Sequence, residues 1–188
     1  MGQASVRKTR YEVMLKHWQE LLNTDCIVID IGPHTIYPIF KNGSTSLMDI
    51  ADKTYINKQI ANCNNINILL RDPEERFVSG INEYCKLNAL DVKDTWELVY
   101  DDKIINRHFA PQWLWLFHLY KFYRGKVILK PFKTINDYCK VHTNKEGKKT
   151  DVALLKQFVE VDYELIENHL NKPILLEKLI RKYKNVLS

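Results

Sequence analysis

The chain has 188 residues, 45% hydrophobic and 27% charged, with ten Tyr, seven Phe, four Trp and a formal net charge of +5. That length and composition suit one globular domain over residues 1–188 with a substantial core, and no apolar run approaches the ~20 residues that a membrane span needs. The four cysteines, Cys26, Cys63, Cys85 and Cys139, are far apart and show neither a C-x-x-C pair nor zinc-ligand spacing, which argues for reduced thiols rather than a disulfide framework.

With no visible signal peptide, and no Ser or Thr at position 6 for a myristoylation signal, the expectation is a soluble, unanchored, cytoplasmic protein without a membrane partner. Lys and Arg gather at 7–16, 140–149 and 172–184. A basic surface of this kind suits an anionic ligand or nucleic acid, and is equally an ordinary solvated face.

In chain order, the apolar spacing of Tyr11, Met14, Leu15, Trp18 and Leu22 predicts a helix over 7–23, followed by a short strand from Cys26 to Ile29. Gly32-Pro33 marks a turn. A second strand then runs through Ile36, Tyr37, Ile39 and Phe40 and breaks at Gly43, and a short helix begins at the following serines. The polar segment 53–65 reads as a helix end plus loop. Ile66 to Leu70 is a buried strand, and Asp72-Pro73-Glu74-Glu75 carries the N-cap, the N1 proline and the capping-box glutamate of a helix reaching Leu87. Gly80 inside that helix costs roughly 1 kcal/mol relative to Ala, which predicts a close approach by a neighbouring element or a ligand. A weak helix over 94–100, a charged loop over 101–107 and a helix over 112–123 that is apolar nearly all round follow. A strand at Val127 to Leu129, a short helix at 134–139, a basic loop at 140–149 and helices at 151–169 and 173–186 complete the chain. Alternation of strands and helices implies an α/β domain with a mainly parallel central sheet, whose ligands gather at the carboxyl ends of its strands.

Two strand ends carry chemistry. Lys41-Asn42-Gly43-Ser44-Thr45-Ser46 places a lysine, a glycine turn and three hydroxyls where a helix begins, an arrangement that suits phosphate; it also fits a plain strand–turn–helix corner. Arg71 follows the next strand. The Walker pattern is not met, because the lysine precedes the single glycine.

Together these two stretches resemble sulfotransferases. Lys41 to Ser46 is similar to the family's 5′-phosphosulfate-binding loop, and Arg71 to Ser79 to its 3′-phosphate motif, with Arg and Ser eight positions apart. His108-Phe109-Ala110-Pro111-Gln112, His142-Thr143-Asn144 and Asp162-Tyr163-Glu164-Leu165 look most like the carbohydrate, Golgi-type branch. The likeness covers about 36–170 and implies a P-loop-like three-layer fold. It also implies transfer of a sulfuryl group from 3′-phosphoadenosine 5′-phosphosulfate (PAPS) to a hydroxyl, carbohydrate or other small-molecule acceptor, with 3′,5′-ADP (PAP) as product and no metal.

By the same resemblance Lys41 steadies charge on the leaving phosphate, and Asn42, Gly43, Ser44, Thr45 and Ser46 line the 5′ side. Arg71 and Ser79 hold the 3′-phosphate, and Lys148 and Lys149 belong to a loop that closes over the nucleotide. A histidine near its neutral point suits removal of the acceptor proton. His108 is the first candidate, with His34 and Glu83 as alternatives; His17, His118 and His169 read as structural. Two other classes stay open: a P-loop-like nucleotide kinase, and a non-catalytic nucleotide- or nucleic-acid-binding module, although no nucleic-acid recognition motif is present.

Overall fold

The computed structural model describes residues 3–101, 103–139 and 152–187. Helix α1 (Gln3–Leu22) leads into β1 (Ile27–Ile31), which turns through Gly32, at φ 54°, into β2 (His34–Ile36). The short helix α2 (Ser44–Asp49), β3 (Lys53–Ile56) and a 3-10 helix (Asn57–Asn62) follow. Then come β4 (Ile66–Leu70), α3 (Pro73–Asn88), α4 (Val92–Tyr100), α5 (Gln112–Tyr120) and β5 (Lys126–Pro131). A second 3-10 helix (Phe132–Asp137), α6 (Val152–His169), β6 (Pro173–Leu175) and α7 (Leu176–Leu187) close the described chain.

The expected α/β character holds, but the sheet is mixed rather than mainly parallel. Its strand order is β3-β1-β2-β4-β5-β6. Only β2–β4 and β4–β5 pair in parallel; β1–β2, β1–β3 and β5–β6 are antiparallel. The cause is local. Two residues, Gly32 and Pro33, separate β1 from β2, and so short a link can only fold the strand back on itself, whereas a parallel pair needs a long crossover. The link between β4 and β5 is long enough because it contains three helices.

Two further differences have equally local reasons. The strand expected to run through Phe40 ends at Ile36, although Tyr37 N–H still donates to Asn67 O at 2.9 Å. Pro38 has no N–H for the ladder and Lys41 takes a left-handed φ of 65°, so pairing cannot continue. Strand β3, hidden in the polar 53–65 segment, is a mostly exposed edge strand and so lacks an apolar signature. Asn57, at φ 51°, ends it and fastens it to β1: its Oδ1 accepts Cys26 N–H at 3.0 Å.

The central β4 is buried at all five positions, as its apolar run, interrupted only by Asn67, predicts for a strand covered on both faces. The two faces are unequal. Val28, Ile66, Ile68, Leu70, Val127 and Leu129 face the main core, shared with Phe77, Ile81, Trp113, Leu116, Leu165 and Leu179 of the helices. The opposite face carries a small cluster, Ile29, Ile36, Leu47, Leu69 and Ile135, capped by α2 and the second 3-10 helix. Leu47 and Ile135 thus draw the loop ahead of α2 down onto the end of the sheet.

Candidate functional site

The turn after β2 is fixed by its own backbone. Asn42 N–H donates to Ile39 O at 3.0 Å, Lys41 sits at φ 65° and Gly43 at φ 72°. Gly43 suits the turn: its φ of 72° disfavours a side chain, and a Cβ there would overlap Ile135 Cδ1 unless that side chain moved. α2 starts at the next residue, so the first-turn N–H groups of Ser44 to Ser46 have no acceptor within the helix. Leu47 anchors the turn from below, fully buried.

Asn42 holds this turn in place. It is fully buried, and its Nδ2 donates to Leu69 O and to Gln112 Oε1, each at 2.7 Å. Gln112, also fully buried, does for Arg71 what a neighbouring strand would do. Its Oε1 accepts Arg71 N–H at 3.0 Å and its Nε2 donates to Arg71 O at 3.0 Å. One carboxamide therefore positions both the lysine loop and the arginine at the end of β4. Gln112 is itself held by Asp162, whose carboxylate accepts the N–H of Gln112 at 2.7 Å and of Trp113 at 2.8 Å. Burial pushes the Asp162 carboxyl up to about 6, against the opposing pull of those N–H groups and of the Arg76 charge.

α3 supplies the remaining charges. Asp72 Oδ1 accepts Glu75 N–H at 2.9 Å, capping the helix as expected, while the Glu75 carboxylate meets Arg71 Nη2 at 3.4 Å. Arg76, Ser79, Gly80 and Glu83 fall on one face by helical spacing. Arg76 is buried, with Nε donating to Phe40 O at 3.1 Å and Nη1 to Ala110 O. Gly80 is the close approach anticipated above, and the element that approaches is backbone: a Cβ at 80 would strike His108 O and Phe109 Cα. That contact seats His108 against α3. Glu83 then stands between two candidates, its Oε2 accepting from Lys41 Nζ and its Oε1 lying 3.7 Å from His108 Nδ1.

The electrostatics are those of a crowded cationic corner. The Lys41 ammonium is held below its ordinary value, first by burial and then by Arg71 and Arg76. His108 is lowered by burial and by Arg107, Lys41 and Arg76, so its ring is neutral near pH 7. Burial also lowers Arg76, to about 10. Several donors are unspent: Arg71 Nε and Arg76 Nη2 have no hydrogen-bond partner among the described residues, and Arg71 Nη1 reaches Lys41 O only at 3.4 Å.

Lys41, Arg71, Glu83 and His108 are thus brought into one corner. Ser79 is half-buried on the α3 face between Arg76 and Glu83, with no hydrogen bond to Arg71 among the described residues. His34 is not brought there; it is exposed at the start of β2, the end away from the loop, with its ring 5.2 Å from Tyr138. His118 is buried and bridges Tyr37 OH and Thr24 O, a structural arrangement. Lys148, Lys149 and the 142–144 segment lie outside the described residues. Arg76, Gln112 and Asp162 carry the site's geometry without having been singled out individually. The available signals were a buried-phase arginine on α3 and a lone amide heading an otherwise apolar helix.

Among the described residues, no group of three or more His, Cys, Asp or Glu side chains is placed to hold a metal ion, and no helix is long and apolar enough to cross a membrane. Compared with protein-family models, curated proteins and solved structures, the chain matches none.

Proposed function

We propose that the protein is a sulfotransferase with a P-loop-like donor site, moving a sulfuryl group from PAPS to a hydroxyl acceptor. The observation that carries this reading is the cationic corner. Lys41, Arg71 and Arg76 crowd one short loop, and the charge of the lysine is disfavoured first by burial and then by the two guanidinium groups. A doubly phosphorylated nucleotide would relieve that repulsion.

In this reading Lys41 faces the bridging oxygen of the leaving phosphate, where negative charge develops as transfer proceeds, and the first-turn N–H groups of α2 share that load. Arg71 presents its planar fork to the 3′-phosphate, the group that distinguishes this donor from ADP. The donor itself supplies the activated sulfuryl group. His108, neutral near pH 7, accepts the acceptor's proton at a ring nitrogen, and Glu83 steadies the resulting imidazolium once Lys41 turns toward the nucleotide. Asn42 keeps the loop in register from beneath.

Thermal unfolding with PAP, ADP and AMP tests the reading. A ligand at ~100 times its dissociation constant adds about 2.7 kcal/mol, equivalent to a rise of about 5–11 °C for a chain of this size. A rise with PAP that is absent with AMP and smaller with ADP is expected. Equal shifts with all three, or none with PAP, would overturn it.

A further inference from the structure

Helix α5 begins without a cap of its own. The residue ahead of it is Pro111, whose side chain offers no acceptor, so the first-turn N–H groups need one from elsewhere. It comes from α6, fifty residues further along the chain: Asp162 Oδ2 accepts Gln112 N–H at 2.7 Å and Oδ1 accepts Trp113 N–H at 2.8 Å. One bond to each oxygen is a task for a carboxylate, since a neutral amide has a single acceptor oxygen. Its negative charge also faces the positive end of the α5 dipole. Val159, Val161 and Leu165 sink this part of α6 into the main core, which makes the carboxylate a fixed point.

Capping alone does not call for a buried charge, because a hydroxyl or an amide serves at most helix starts. Asp162 is 1% exposed, and burial pushes its carboxyl up to about 6, so the charge is kept at pH 7 against that penalty. What the charge adds is a counterpart for Arg76 of α3, with which it interacts across the interior. Arg76 in turn donates from Nε to Phe40 O at 3.1 Å and from Nη1 to Ala110 O. Asp162 therefore reaches the corner by two routes. One runs through the Gln112 carboxamide to Asn42 and to the backbone of Arg71. The other runs through Arg76 to Phe40, next to Lys41, and to Ala110, two residues before Gln112.

We infer that Asp162 is the positioning residue of the corner: acting through Gln112 and Arg76, it holds the lysine loop and Arg71 at their mutual spacing. Among the described residues it bonds to neither Lys41 nor Arg71. Loss of its charge frees the first turn of α5, loosens the Gln112 carboxamide from Arg71 and leaves Arg76 without its counter-charge, while the strand ladders keep their own bonds. That a nucleotide uses this spacing rests on the transfer reading; that Asp162 sets it does not.

The test is amide hydrogen exchange of the nucleotide-free protein at pH 7, read at three places. Arg71 N–H reports the Gln112 clamp, Asn42 N–H, bonded to Ile39 O at 3.0 Å, reports the lysine loop, and the β4–β5 ladder reports the fold. Asp162→Asn keeps the shape and removes the charge. It should speed exchange at Arg71 and Asn42 by about threefold to tenfold, beyond any change in the ladder. Asp162→Glu keeps the charge but displaces it by a methylene, and should speed the same two amides by less. In Gln112→Ala protein, where the clamp is already gone, Asp162→Asn should change Arg71 exchange by less than about twofold. If Asp162→Asn does not fold, Asp162→Glu decides alone on the same three readings. Exchange at Arg71 and Asn42 that stays at the wild-type rate, or rises only in step with the ladder, would overturn the assignment and leave Asp162 a cap alone. Equal acceleration of Arg71 with and without Gln112 would overturn the relay through that side chain. Because no nucleotide is present, failure here is separate from failure of the transfer reading, which the nucleotide titration decides.

Discussion

The side chains of Asn42 and Gln112, seventy residues apart in sequence, meet at 2.7 Å in the interior and are both fully buried. Through that contact the start of the apolar helix α5 fixes where the lysine loop sits relative to Arg71.

Replacing Gln112 with Ala leaves the N–H and C=O of Arg71 without their partner and takes from the Asn42 amide one of its two acceptors, Leu69 O remaining. Each such buried group costs about 1–3 kcal/mol, and part of that is recovered by water, so a loss of about 2–4 kcal/mol in urea unfolding is expected. A double-mutant cycle with Asn42→Ala should give a coupling of about 1 kcal/mol. A coupling near zero would mean that the loop is held by something else.

Lys41→Ala should remove turnover while leaving the fold. A preorganised donor at a developing charge contributes about 100–1000-fold in rate, whereas the partly exposed ion pair with Glu83 contributes little to stability. Turnover and denaturation midpoints measured side by side separate the two; a variant with normal turnover would remove Lys41 from the leaving-group role.

Arg71→Ala should weaken PAP by about tenfold to a hundredfold, the equivalent of one or two charge-assisted bonds, and leave AMP nearly unaffected. Titration calorimetry with both nucleotides measures the difference. Equal losses would place Arg71 elsewhere than at the 3′-phosphate.

The pH dependence has a definite sign. His108 must be neutral to accept a proton, and its ring is held below the ordinary value of 6.5 by burial and by Arg107, Lys41 and Arg76. The kcat/KM profile, which reports the free enzyme, should therefore be flat at pH 7 and fall on an acidic limb lying below 6.5. The same lowering makes the folded state bind fewer protons than the unfolded one in that window, so His108 removes stability as pH drops below 6.5. His108→Asn should abolish the acidic limb; an unchanged profile would move the base to another group.

Sequence pattern carries the elements whose cause is local. The cap and N1 proline of α3, the apolar run of β4 and the buried character of α5 all follow from neighbouring residues, and all appear in the structure. Edge strand β3 and the antiparallel hairpin do not declare themselves in the same way. An exposed edge needs no apolar alternation, and a two-residue turn is told from a crossover only by where the second strand ends. In the candidate site, Lys41 and Arg71 stand out from the turn and strand-end pattern around them, whereas His108 and Glu83 stand out only through the likeness of their segments to sulfotransferases. Gln112 and Asp162 do not stand out by pattern, because their function is to satisfy backbone groups contributed by segments far away in sequence. Gly80 announced a neighbour without naming it.

The pairing of β2 with β4 is the narrowest junction in the sheet, anchored at Ile36 with Asn67, the Tyr37 N–H bond and the Asn67 side chain on Thr35 O at 3.1 Å. On one side lies the antiparallel hairpin unit that ends in the lysine loop; on the other lies the parallel unit that ends in Arg71. The corner straddles a seam between two halves that are each better knit than the join between them. A ligand spanning Ser44 and Arg71 would act as a rivet across that seam, linking its occupancy to any opening between the two units.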